Sequence, residues 1–97
     1  MLIDTHCHLD AAEFDADRDA VYAAATAAGV GRIVVPGVTV NRNFRPKSTI
    51  ADYPACVEAY GIHPLYVDQS SLEDLLRLRG WLQQAPPVAV GEIGLDF

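Results

Sequence analysis

Cysteine is scarce in this chain: Cys7 and Cys56 are the two among 97 residues. That is too few to staple a disulfide scaffold and suits a reducing compartment. Basic residues are also short. Lys and Arg number 7 against 13 Asp and Glu, a formal net charge of −6, which argues against holding nucleic acid by broad phosphate neutralisation. An anionic substrate would therefore need a local source of positive charge. No apolar run approaches the ~18 residues of a membrane span. Met1-Leu2-Ile3-Asp4 has neither the basic start nor the long apolar stretch of a secretory signal, so the expected location is the cytoplasm. Neither a repeat nor a low-complexity tract is visible, which excludes solenoid architectures. What is present is a hydrophobic fraction of 51% with 21% charged residues, the balance of a chain that folds rather than stays disordered.

Residues 1–4 form a short apolar run that ends in a polar cluster, as a buried strand does when its C-terminal end reaches a functional face. Residues 15–28 are alanine-rich with acidic residues early and Gly29 just beyond, the start and stop chemistry of a helix. Arg32-Ile33-Val34-Val35, closed by Pro36-Gly37, is a second strand. A helix is expected over residues 39–53, starting near Pro46, which cannot occupy a helix interior. Residues 55–61 read as a third strand. Ser70 or Ser71 caps a helix running to Gln84, with Leu72, Leu75, Leu76, Leu78 and Leu82 as its apolar stripe. Pro86-Pro87 stops it, and residues 88–90 open a fourth strand that runs into Gly91-Glu92-Ile93-Gly94-Leu95-Asp96-Phe97. Strands and helices alternating at this spacing predict an α/β fold built from βαβ units around a parallel sheet. In such folds chemistry collects at the C-terminal strand ends.

The polar residues fall at those ends. In an extended segment His6 and His8 point to one side and Cys7 to the other, so two neutral imidazoles can converge on one divalent ion. The alternative is two polar residues capping the next turn. Glu92, set among apolar strand residues, is costly there unless a cation or a hydrogen-bond network receives it. It suits a hard, bridging metal ligand, or a salt bridge across the sheet. His63 precedes Pro64 and sits in a restricted turn. It is either a donor outside the coordination shell, a contact to substrate phosphate, or a turn residue bonded to backbone. Asp4 and Asp96 either orient imidazoles or cap strand ends. Arg42, Arg45 and Lys47 follow the second strand, where they either steer an anion or form a solvated charged face. Cys7 and Cys56 read as small apolar residues and Trp81 as core.

Three motifs carry a resemblance. Asp4-Thr5-His6-Cys7-His8-Leu9-Asp10, Gly61-Ile62-His63-Pro64 and the final Gly91-Glu92-Ile93-Gly94-Leu95-Asp96-Phe97 are similar, in order and spacing, to the successive signatures of the TatD-like metal-dependent hydrolases. The resemblance implies the N-terminal half of a (β/α)8 TIM barrel of the amidohydrolase type. Residues 1–97 would form one partial barrel of about four strands with no second domain. It implies two divalent ions per complete site, Mg²⁺, Mn²⁺ or Zn²⁺, with His6 and His8 ligating the first and Glu92 ligating or bridging. His63 would be a substrate-side residue. The implied activity is hydrolysis of phosphodiester bonds, with single-stranded or end-accessible DNA as substrate. An amide or ester hydrolase on the same scaffold is the alternative within enzymes. Family members are longer, and their later segments bring two further histidines and an aspartate to the metals. The 97-residue chain alone is therefore expected to be inactive, or to pair as a half-barrel with another copy or another chain.

Overall fold

The computed structural model describes residues 1–40, 49–84 and 86–96. Among these, β1 (Leu2–Asp4), α1 (Arg18–Ala27), β2 (Val30–Pro36), β3 (Cys56–Tyr60), α2 (Leu72–Gln84) and β4 (Ala89–Val90) follow in order. Short 3-10 turns at Ala12–Phe14 and Pro64–Gln69 precede the two helices. The expected helix over residues 39–53, with Arg42, Arg45 and Lys47, falls mainly on residues outside the described ones, as does Phe97.

The four strands form one sheet in the order β1-β2-β3-β4, and every pairing is parallel. Strand order that follows chain order without reversal is the winding of a barrel wall; a doubly wound sheet reverses direction at a switch point. Register places Asp4 beside Ile33, Ile33 beside Cys56 and Ala59 beside Ala89. The C-terminal strand ends therefore lie along one rim.

Two apolar clusters hold the helices to the sheet. Leu9, Ile33, Val35 and Ile50 are buried together, with Cys7, Val21, Tyr22 and Cys56 packed against them. Val40, Tyr60 and Leu78 form the second, with Ile62, Trp81 and Leu82 around it. The Trp81 ring meets Tyr60 edge-on at 5.4 Å, a favourable aromatic geometry.

Four expectations need correction. The first strand is not buried: Leu2 and Ile3 are 62% and 56% exposed, because β1 is the sheet's edge and has one strand neighbour. The first helix starts at Arg18 rather than at residue 15. The Arg18 guanidinium folds back on the preceding loop, donating to the carbonyls of Leu9 and Ala11 and to Asp15, each at 2.7 Å, and residues 15–17 stay in a turn. The leucine stripe of α2 is split. Leu78, Trp81 and Leu82 pack in the second cluster with Asp74 buried on the same side, whereas Leu72, Leu75 and Leu76 are exposed. Finally, β4 ends at Val90, so Glu92 lies beyond the strand.

Candidate metal centre

The segment after β1 is pinned from both sides. Asp4 Oδ1 accepts the backbone N–H of His6 at 3.0 Å, and the Cys7 N–H donates to the Val34 carbonyl at 3.0 Å, continuing the ladder past the strand's end. Cys7 and Leu9 enter the core, and period-2 alternation sends His6 and His8 to the opposite side. Asp4 therefore closes the strand end. Asp96 is exposed and makes no hydrogen bond or ion pair among the described residues.

Glu92 arrives from the far side of the sheet. Its position depends on Gly61, the residue after β3: a Cβ on Gly61 would lie 2.4 Å from the Glu92 carbonyl oxygen and 3.1 Å from its nitrogen. Any other side chain there would push the Glu92 backbone away. The Gly91 N–H donates to the Tyr60 carbonyl at 2.7 Å, and Gly94 at φ +100 takes a conformation that favours glycine.

At the rim these side chains meet. Nε2 of His6 and Nε2 of His8 are 3.2 Å apart. Glu92 Oε1 lies 3.2 Å from the first and 3.0 Å from the second. The other carboxylate oxygen, Oε2, lies 3.1 Å from Nε2 of His63. Oε1 is a buried acceptor that no group hydrogen-bonds, an expensive state for a carboxylate without a cation to receive it. Among the described residues, His6, His8 and Glu92 are the group whose donor atoms converge closely enough to hold a metal.

The triangle can be compared with the needs of an ion. Ligands bonded at about 2.0–2.1 Å stand about 3.3–3.4 Å apart around a tetrahedral ion and about 2.8–3.0 Å apart around an octahedral one. Edges of 3.2, 3.2 and 3.0 Å fall between the two. Two imidazoles and a carboxylate are the donor set of a small borderline-to-hard divalent ion.

Nothing marks either cysteine as a nucleophile. Burial raises the Cys7 thiol above its ordinary value, and burial together with the nearby Cys7 pushes Cys56 up to about 11, so both are thiols at neutral pH. Two residues that position the centre carried no such role in the sequence expectations. Arg18 gathers the loop beyond His8, and Gly61 makes room for Glu92. The signal for Gly61 was available, since a glycine at a strand end marks a close backbone approach. For Arg18 the pairing with Asp15 is local, but the contacts that gather the loop are to main-chain carbonyls, which no residue pattern marks.

Residues 3–97 match the family described as TatD related DNase. The chain is 40% identical to an uncharacterized metal-dependent hydrolase, YjjV, of Escherichia coli K12, over 98% of this chain and 38% of that protein. It is 32% identical to the 3'-5' ssDNA/RNA exonuclease TatD of Cronobacter sakazakii, over 99% of this chain and 36% of that one. The crystal structure of YjjV, described as a TatD homolog, superposes with a TM-score of 0.84 at 38% identity, covering 99% of this chain and 38% of that structure. The chain thus spans less than two fifths of the length of these relatives. Its sequential parallel strands form the corresponding part of an α/β barrel. With family match, relatives and fold in agreement, the chain belongs to the TatD-related DNase family.

Proposed function

We propose that the polypeptide carrying this chain hydrolyses phosphodiester bonds at the ends of single-stranded nucleic acid, at a divalent-metal centre whose first ligands are His6, His8 and Glu92. The observation that carries this reading is the 3.0–3.2 Å triangle of His6 Nε2, His8 Nε2 and the buried Glu92 Oε1. A relative named as an ssDNA/RNA exonuclease supports the substrate class. Relatives named as metal-dependent hydrolases support the cofactor.

His6 and His8 offer lone pairs as neutral imidazoles, and the Glu92 carboxylate offsets charge and closes the third side of the site. When bound, Mg²⁺, Mn²⁺ or Zn²⁺ supplies a Lewis acid that lowers the pKa of water and stabilises charge building on the phosphate oxygens. This local positive charge answers the net −6 of the chain for a strand that enters by its end. The reading includes a second ion once further ligands complete the centre, and a cytoplasmic location, supported by two free thiols. Among the described residues no helix is long and apolar enough to cross a membrane.

Two measurements test the proposal. The 97-residue chain should bind Mn²⁺ or Zn²⁺ weakly, with a Kd on the order of micromolar or higher, because three ligands leave the shell open. His6→Ala should abolish that binding. The polypeptide carrying the chain should degrade an end-labelled single-stranded oligonucleotide only with added metal, and the same substitution should stop it. Hydrolysis that survives chelation, or metal binding untouched by His6→Ala, contradicts the reading.

A second reading rests on exposed apolar surface. Leu2, Ile3, Val88 and Val90 stand open at the two sheet edges, and unpaired apolar edges seek partners. We propose that the isolated chain pairs through these edges with a second copy of itself and is inactive in that state.

A further inference from the structure

We infer that His63 is a positioning residue that sets the metal-facing orientation of the Glu92 carboxylate, and that it does so as the Nε2-protonated tautomer. The inference rests on the metal-centre reading above and assigns His63 a place outside the ligand set.

The ring's two nitrogens are both committed. His63 caps the 3-10 turn Pro64–Gln69, its Nδ1 accepting the backbone N–H of Leu65 at 3.0 Å. A neutral imidazole carries one proton, so an accepting Nδ1 places it on Nε2. That nitrogen lies 3.1 Å from Glu92 Oε2, a separation at which its proton can be shared with the carboxylate. An Nε2 that donates has no lone pair left for a metal.

The backbone holds the ring in place. His63 sits at φ −63, ψ 141, the extended region that a following proline imposes. Its N–H donates to the Val38 carbonyl at 2.9 Å and its carbonyl accepts from Tyr66 at 2.8 Å. The Tyr66 ring meets the imidazole edge-on at 6.3 Å. With His63 anchored to the ends of two chain segments, its N–H fixes Oε2, and rotation of the carboxylate is blocked. Oε1 is left facing the nitrogens of His6 and His8 at 3.2 and 3.0 Å. Partners of this kind, which orient a ligand from behind, typically change metal affinity by about 10–100-fold when removed.

The two roles of the ring separate by substitution. His63→Asn keeps a side-chain oxygen near the Nδ1 position, so it retains the cap on Leu65 and loses the reach to Glu92. His63→Gln carries an amide N–H near the Nε2 position and retains that reach. With Co²⁺ as the probe, followed by its visible absorption, His63→Asn should bind about 10-fold or more weakly than the unsubstituted chain. His63→Gln should recover most of the affinity. Equal binding by unsubstituted chain and Asn variant, or a Gln variant as weak as Asn, overturns the role. Long-range ¹H–¹⁵N NMR of the imidazoles in the metal-free chain should show His63 protonated at Nε2, and protonation at Nδ1 overturns the inference directly. If the unsubstituted chain binds no Co²⁺, it is the metal-centre reading that fails. The tautomer then decides the His63–Glu92 contact by itself, Nε2–H supporting it and Nδ1–H overturning it.

Discussion

At the scale of single residues, the centre depends on groups that do no chemistry. Gly61 is buried and its missing side chain is the space in which the Glu92 backbone lies. Gly61→Ala should cost about 1–3 kcal/mol in urea unfolding, as overpacking does, and should also weaken metal binding by displacing Glu92. An Ala variant with unchanged stability and affinity would show that the approach relaxes freely. Cys56 supplies a pH prediction. Its thiol is raised by burial to about 11, so alkylation at pH 8 should be much slower in the folded chain than in urea. The sign for stability follows by linkage: the unfolded thiol ionises from about pH 9 while the folded one stays protonated, so this contribution is complete below 9 and is lost as pH rises through about 11. Thermal melts that are flat from pH 8 to 11 would contradict it.

At the scale of elements, α2 shows how local chemistry and tertiary packing divide the work. Ser71 and Asp74 form a reciprocal cap: the Asp74 N–H donates to Ser71 Oγ at 3.2 Å and the Ser71 N–H to Asp74 Oδ2 at 3.0 Å. The Ser71 N–H and the Arg77 guanidinium hold the Asp74 carboxyl below the ordinary carboxylate range. Arg77 also donates to the Val40 carbonyl at 3.2 Å, tying the helix to the end of the segment after β2. Ser71→Ala should lower stability by about 1 kcal/mol, visible as a shift of the urea midpoint at constant slope; an unchanged midpoint would mean that tertiary packing alone sets the helix start. The cap was legible in the sequence because it is local. The buried face was not, because six leucine and tryptophan positions surround this helix and only the sheet selects which of them it covers.

At the scale of the whole molecule, the sheet has two open edges and α2 carries a second apolar face of Leu72, Leu75 and Leu76. Apolar surface arranged in this way predicts association. Sedimentation of the 97-residue chain should show a species larger than a monomer whose population grows with concentration. A monomer across the concentration range, binding no apolar dye, would rule this out. Edge exposure also explains why β1 and β4 are short: each has a single strand neighbour and half the ladder that stabilises β2 and β3.

The sequence by itself determined the alternation of strands and helices seen among the described residues, the placement of His6, His8 and His63 after strands, and the opposition of Cys7 to its flanking histidines. Each of these rests on periodicity or on a residue's own backbone preference, which neighbours in the chain suffice to set. Only the tertiary structure decided that Glu92 stands outside β4, that Gly61 admits it, that Arg18 delays α1, and that His63 meets Glu92 Oε2 while Oε1 turns to the other two histidines. Those outcomes depend on contacts between segments some 30 to 85 residues apart or on main-chain acceptors, and no local pattern records which backbone will pass beside which side chain. On the proposed function, the scarcity of basic residues acquires its meaning at the same level, since among the described residues the group able to hold a cation is assembled from two ends of the chain that the sheet brings to a common rim.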